Sequence, residues 1–497
     1  MADTPAPSGY DTYTSPLAAR NASPEMLKIW SPRHKFNTWR RIWLAIAEAQ
    51  YEVTKDWGRE ERAPRVSGGS TGDGGPPAHA GGASNAGPLV TKEQVEELRA
   101  VVERGITDDE LARASEIERD LRHDVMAHVH CLGESCPTAK PIIHLGCTSQ
   151  DVVCNADLLA IYEAIMLIER KRERAVATLG SEAGKYKQVP TLGFTHYQTA
   201  QPVTVGRRLA GYANELCEVE ESLDLYPVTV ILRGFRGATG TQASFLQLLG
   251  SHEAVESFEA RAIAKILPSH PDVDDLKDIA IAEDDEKLLA EREQRARHLR
   301  QRGNVVGADK WEAMSVDELR AHKYHSIIDF RSFALTGQTY PRSFDARVLA
   351  GLANLATVLH KIATDIRLLS NRKEIDEPFG KNQIGSSAMP YKRNPMKCER
   401  ICGLTRFVMN LVGNAYDTAA TQWLERTLDD SSNRRLSLPE AFLALDGALD
   451  LMHQVASGLV VNEAMVRKNL MEELPFLATE NILMEAVKAG GDRQDLH

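Results

Sequence analysis

An all-α chain with long helices through its middle is the architecture this sequence implies. From Leu352 to Leu369 the residues Leu352, Leu355, Leu359, Ile362, Ile366 and Leu369 alternate spacings of three and four. That repeat of roughly 3.5 residues marks a long helix packed in a bundle. Trp39, Ile42, Trp43, Ile46 and Val53 fall at the spacing of one helix face. Strand-like alternation is nearly absent.

The elements follow in order. The opening "MADTPAPSGYDTYTSP" is polar and proline-rich, without the charged start and apolar core of a signal peptide. After the helix around residues 39–53, residues 58–88 are so rich in Gly, Pro, Ser and Ala that a disordered insert is expected. Helical periodicity resumes at Val90. Residues 267–325 carry dense alternating charge with few apolar anchors and read as a solvated helical excursion. The 352–369 seam then gives way to "QIGSSAMPYKRNPMKCER", Gln383 to Arg400, where Pro390 and Pro395 exclude regular helix.

Composition narrows the function. A chain of 497 residues, 43% apolar, has room for roughly two to four domains with large cores. A net charge of -11 argues against nucleic acid, so an anionic ligand must be met by local cation clusters. Cysteines 131, 136, 147, 154, 217, 398 and 402 form neither a CxxC pair nor an even disulfide framework, as expected in a reducing compartment. No apolar run approaches the ~20 residues that span a bilayer. A soluble, cytoplasmic protein is expected.

Several stretches hold residues suited to chemistry. "LRHDVMAHVH" brings Arg122, His123, Asp124, His128 and His130 together. HExxH spacing and a third ligand are missing, so no metal is expected, and a His flanked by Arg and Asp suits an anion. "LGFTHYQTAQP" places His196 in a polar turn. The run Gly234, Gly237, Gly240 fits neither a dinucleotide fingerprint nor a phosphate loop and reads as a flexible loop. "WLERTLDDSSNRRLSLPE" supplies Arg426, Arg434 and Arg435, whose guanidinium forks match phosphate and carboxylate. Within it, Ser437 to Glu440 reads as a capping box with Pro439 in the first turn, starting or kinking a helix. The Gln383–Arg400 stretch has the composition of a lid closing over an anion. A catalytic Ser386 there needs neighbouring cations or dipoles, and Lys392, Arg393, Lys397 and Arg400 stand close in sequence.

"GSSAMPYKRNPMKCER" resembles the signature loop GSSxMPxKxNP of the fumarase/aspartase superfamily. The segments "SPLAARNASPEM", "IHLGCTSQDV", "PTLGFTHYQTAQP", "GTQASFLQL", "ALTGQTYPR", "ERTLDDSSNRR" and "ELPFLATENI" are similar to the animal-type adenylosuccinate lyase family. The likeness runs from about Tyr10 to His497, skipping the two inserts. It implies an all-α, three-domain fumarase/aspartase-like fold, with a first domain over 1–147, a central helix bundle over 148–461 and the start of a third domain over 462–497. It also implies a homotetramer whose active sites are shared between subunits, small nucleotide substrates and no cofactor. The reaction implied is elimination of fumarate from adenylosuccinate and from the succinylated carboxamide ribotide of purine synthesis.

By the same resemblance Ser386 is the general base, His196 the general acid and Glu399 the residue that orients His196. Lys392 and Asn394 are expected at the succinyl carboxylates, with Thr148, Ser149, Thr195 and Gln338 adding hydrogen bonds. His123, with Arg122 and Asp124, is expected near the leaving side and the phosphate. Arg20, Arg400, Arg426, Ser431 and Arg435 are expected to clamp phosphate, ribose and carboxylates. Asn21 stands where relatives carry Tyr, and the sequence stops at "AGGDRQDLH", where relatives continue, so a truncated or reduced third domain is expected. Argininosuccinate lyase is the runner-up, opposed by "LRHDVMAHVH" and "ERTLDDSSNRR". An inactive scaffold is opposed by the joint presence of His196, Ser386, Lys392 and Glu399.

Overall fold

The computed structural model describes residues 13–57, 87–222, 231–267, 285–302, 305–316, 318–319, 322 and 331–497. The start of the N-terminal stretch and the insert expected over 58–88, apart from its last two residues, lie outside them.

The first helices are set by their caps. Helix α1 (Pro24–Ile29) and helix α2 (Pro32–Thr54) each begin on a serine, Ser23 or Ser31, followed directly by a proline whose missing N–H costs nothing in a first turn. Helices α3 (Lys92–Arg104) and α4 (Asp108–Leu121) start in reciprocal capping boxes, Thr91 with Gln94 and Thr107 with Glu110. Helix α5 (Asp124–Ser135) follows after a two-residue corner. On α2 the side chains Trp39, Ile42, Trp43 and Ile46 are fully buried, as their spacing implied.

Helix α6 (Ser149–Lys185) has 37 residues, about 55 Å at 1.5 Å per residue. A β-hairpin, β1 (Pro190–Thr195) and β2 (Gln198–Thr204), leads into α7 (Val205–Ser222). Next come α8 (Ala243–Leu249) and α9 (His252–Ile266). Helices α10 (Asp285–Gln301) and α11 (Val305–Glu312) lie in the charged stretch and pack on each other. The chain then forms α12 (Ser343–Asn371), β3 (Ile375–Asp376), α13 (Met396–Ala420) and α14 (Asp429–Ser457). It continues with β4 (Val460–Val461), α15 (Glu463–Lys488) and the short α16 (Arg493–Leu496).

Two apolar cores result, and α6 joins them. Its first part, with Val152, Cys154 and Leu158, packs among α2, α3, α5, α8 and α9. The rest, with Ile161, Leu167, Ile168 and Leu179, packs with α7, α12, α13 and α14 in a bundle. All six residues of the 352–369 seam are buried in that bundle.

Two features depart from the sequence reading. Strands exist: β1 pairs antiparallel with β2 and β3 with β4, in segments of two to seven residues that leave little periodic signal in the sequence. The Ser437–Glu440 stretch neither caps nor starts a helix, since α14 already begins at Asp429 and runs through Pro439. The Ser437 hydroxyl instead donates to the Asn433 carbonyl at 3.0 Å. An interior proline costs ~3 kcal/mol, and burial of Leu438, Ala441, Phe442 and Leu445 around it offsets that cost.

Candidate active site

The corner between α4 and α5 presents the first cluster. Arg122 closes α4 in the left-handed region (φ 55) and His123 is extended, so the chain turns sharply there. The His123 Nδ1 accepts from the Met126 N–H at 3.3 Å, capping α5. An accepting Nδ1 places the ring proton of the neutral imidazole on Nε2, which lies 3.4 Å from the Ser149 hydroxyl. Asp124, one residue on, accepts from Arg435 of α14 at 2.7 Å.

These groups line a cavity of about 560 Å³ together with Arg426, Ser431 and Lys35. The first turns of α5, α6 and α14 all open onto it through Asp124, Ser149 and Ser431. The positive dipole ends of these helices suit an anionic ligand. Arg426 donates to the Gln338 side chain at 2.8 Å and to the Ser431 hydroxyl at 3.2 Å. With its carboxamide oxygen turned toward that guanidinium, Gln150 accepts from it at 3.1 and 3.2 Å.

A buried ion pair holds this wall in place. Asp151, in the first turn of α6, and Arg233 have no exposure and are bonded to each other. Asp151 also accepts from the backbone N–H groups of Thr148, Arg236 and Gly237 at 2.7, 2.9 and 3.1 Å. Arg233 donates on to the carbonyls of Gly237 and Gly337 at 2.8 and 3.0 Å. The Gly234–Gly240 loop, expected from the sequence as flexible, is thus tied to the start of α6 and to the segment bearing Gln338. At Gly240 (φ 87) a Cβ would overlap the Thr336 carbonyl, so no side chain fits where the two segments meet.

His128 belongs to the core rather than to the cavity. Its ring stacks on Phe36 with centroids 3.7 Å apart, and burial, aided by Arg40 and Lys35, lowers its pKa to about 4.

The loop over Gln383–Pro395 lines a separate cavity that includes Gly385, Ser386 and Lys392. The Ser386 oxygen accepts from the backbone N–H groups of Ala388 and Met389 at 3.4 and 3.2 Å. Asn394 donates across the loop to the Gly385 carbonyl at 2.9 Å. A buried carboxylate, Glu377, accepts from the N–H groups of Lys397 and Cys398 at 3.0 and 2.8 Å, fixing the loop's exit into α13. Glu399 is exposed in the first turn of α13.

His196 stands at the tip of the β1–β2 hairpin. The register pairs Thr195 with Gln198, leaving His196 and Tyr197 as a two-residue turn with φ of 52 and 59. Both are left-handed, the conformation that tight hairpins normally fill with Asn or Gly. His196 is exposed, and among the described residues no hydrogen bond or ion pair joins it to Glu399. Thr195 lines a further hollow with Phe476 of α15.

Comparison with known proteins shows the family. A family described as lyase matches residues 79–273 and 279–410. Adenylosuccinate lyase of Saccharomyces cerevisiae is 40% identical over 98% of this chain and 82% of its own length. That of Schizosaccharomyces pombe is also 40% identical, with the same coverage. The chain belongs to the adenylosuccinate lyase family. A fumarate lyase structure from Mesorhizobium sp. BNC1 superposes with a TM-score of 0.64 at 18% identity, over 98% of this chain and 86% of that one. The adenylosuccinate lyase fold here is accordingly the all-α fold of the fumarase/aspartase superfamily.

Within one chain of this adenylosuccinate lyase family member, the residues expected from the sequence are divided. Arg122, His123, Asp124, Ser149, Arg426, Ser431 and Arg435 line the first cavity, and Gln338 touches Arg426 there. Thr148 caps α6 at its edge. Ser386 and Lys392 line the loop cavity, with Asn394 bonded beside them. Arg20, Asn21 and Arg400 line a third cavity of about 700 Å³, and the Asn21 side chain donates to the Pro16 carbonyl at 2.8 Å in its own turn. His196, Thr195 and Glu399 line none of these three. The sequence reading did not single out Lys35, Gln150 or the Asp151–Arg233 pair. For Lys35 a signal existed, a cation four residues before Trp39 on the apolar face of α2.

Proposed function

We propose that this chain removes fumarate from adenylosuccinate to leave AMP, and from the succinylated carboxamide ribotide to leave the carboxamide ribotide. Ser386 takes a proton from the carbon beside a succinyl carboxylate, and the electron pair left behind expels the nitrogen of the purine amino group or of the carboxamide as the carbon–nitrogen bond breaks. His196 donates a proton to that nitrogen. Lys392, with Asn394, stabilises the carbanion-like intermediate, and Glu399 orients His196. Arg20, Asn21, Arg400, Thr148 and Thr195 complete the contacts to the nucleotide.

One observation carries the assignment of the base. The Ser386 oxygen already accepts from two backbone N–H groups. Such donors favour the alkoxide, the form a serine needs in order to remove a proton. The division of the site among separate cavities supports assembly from several copies of the chain, a homotetramer in which the loop of one copy closes over the cavity of another. Small nucleotides are its partners, and the cytoplasm is its place.

The deciding experiment incubates the purified chain with adenylosuccinate, follows the absorbance of the succinylated purine, and separates the products. AMP and fumarate in equal amounts are expected. No product from an intact assembly overturns the proposal.

A further inference from the structure

The cations around the first cavity are unequally committed. Arg435 is bonded to Asp124, Arg434 to Asp157 and Asp345, and Arg426 to Gln338 and Ser431. The Lys35 ammonium has no hydrogen bond or carboxylate within 4 Å among the described residues, although it lines the cavity. It lies 4.8 Å from the Trp39 ring centroid and 5.3 Å from that of Phe36. Burial lowers its pKa, and of the carboxylates that counter this, Asp157 and Asp124 are held by Arg434 and Arg435, while Glu118 acts more weakly from the cavity rim. A half-buried ammonium against aromatic walls, with no described carboxylate within 4 Å and its two strongest carboxylate neighbours taken by arginines, is suited to receive an anion from outside the chain.

The cavity also indicates which anion. It contains neither Ser386 nor Lys392, the groups assigned to the reacting succinyl end. It therefore holds the purine, ribose and phosphate, and of these only the phosphate is anionic. We propose that Lys35 binds the phosphate of the nucleotide substrate from α2, opposite the first turns of α6 and α14. The assignment rests on the lyase function proposed above and adds to it a binding residue outside the motif segments.

The test compares wild type with Lys35→Met and Lys35→Arg, measuring AMP and adenosine binding by calorimetry and adenylosuccinate turnover, with circular dichroism as the check on folding. In Lys35→Met, AMP affinity is expected to fall about tenfold or more while adenosine binding stays within about twofold. KM should rise with kcat nearly unchanged, and Lys35→Arg should recover most of the loss. Unchanged AMP affinity in folded Lys35→Met overturns the assignment, and so does an equal loss for AMP and adenosine, which would mean the side chain only supports Trp39. If wild type turns over adenylosuccinate and either result is found, Lys35 alone is misassigned. If wild type neither binds AMP nor turns over, both readings fall.

Discussion

The Arg435 Nη2 lies 2.7 Å from the Asp124 Oδ2, a contact between residues 311 positions apart that fixes the start of α14 against the start of α5. Burial works against the Asp124 charge, but Arg435, the Val125 N–H and Lys35 outweigh it and hold the carboxyl below its usual range. The pair faces the cavity and is partly exposed, so it contributes little to folding. Arg435→Ala is expected to raise KM for adenylosuccinate about tenfold while changing unfolding free energy by less than about 1 kcal/mol. Steady-state kinetics beside urea titration checks both.

Gly385 makes the fold of the Ser386 loop possible. A Cβ there would overlap the Lys392 carbonyl, a backbone atom that cannot swing aside. Gly385→Ala is expected to reduce kcat by about a hundredfold or more, by displacing Ser386 and Lys392 together. Circular dichroism should be unchanged, because the loop adds no residue to either apolar core.

Ser386→Ala and His196→Ala should each abolish turnover and leave AMP binding measurable. If active sites are shared, unfolding and refolding the two variants as an equal mixture should restore activity at about one quarter of the sites, those that receive both intact residues. Activity staying at zero in verified mixed tetramers would place both residues on the same subunit.

The Asp151–Arg233 pair is a structural keystone at the cavity wall. Both side chains are fully buried, so Arg233→Ala leaves an uncompensated carboxylate and is expected to cost ~3–5 kcal/mol. Replacing both, as Asp151→Asn with Arg233→Met, should recover part of that loss. Thermal unfolding of the single and double variants checks it.

His128 makes the protein sensitive to acid. Its folded pKa of about 4 is below the ordinary 6.5 because burial, then Arg40 and Lys35, disfavour the charged ring. The unfolded chain binds this proton first, so the contribution to stability is complete above pH 6.5 and is lost as pH falls toward about 4. His128→Phe keeps the stack on Phe36 and should reduce the slope of stability against pH in that window by up to ~1.4 kcal/mol per pH unit. Urea unfolding across the window measures this.

Much of this protein is written locally in its chain. The 352–369 seam determines a long bundle helix because apolar spacing and helical pitch are properties of consecutive residues. The Gln383–Arg400 stretch carries its prolines, its serine and its cations within eighteen letters, so the break from helix and the family motif are legible before any fold is known. What depends on how helices cross is not legible. The assembly of Arg122, Ser149, Arg426 and Arg435 around one cavity, and the exclusion of Ser386, Arg20 and His196 from it, follow from the packing of α5, α6 and α14. Tertiary burial also overrode local preference, carrying α14 through Pro439 where its sequence suggests a start. Strand pairing at β1 and β2 likewise holds His196 and Tyr197 in left-handed geometry that their own propensities disfavour. The sequence by itself determined the helical fold class, the 352–369 bundle helix, the motif loop and the reaction class. Only the tertiary structure decided which side chains share a cavity and that Lys35 is among them, because contacts between distant residues depend on packing angles and burial that no local pattern encodes.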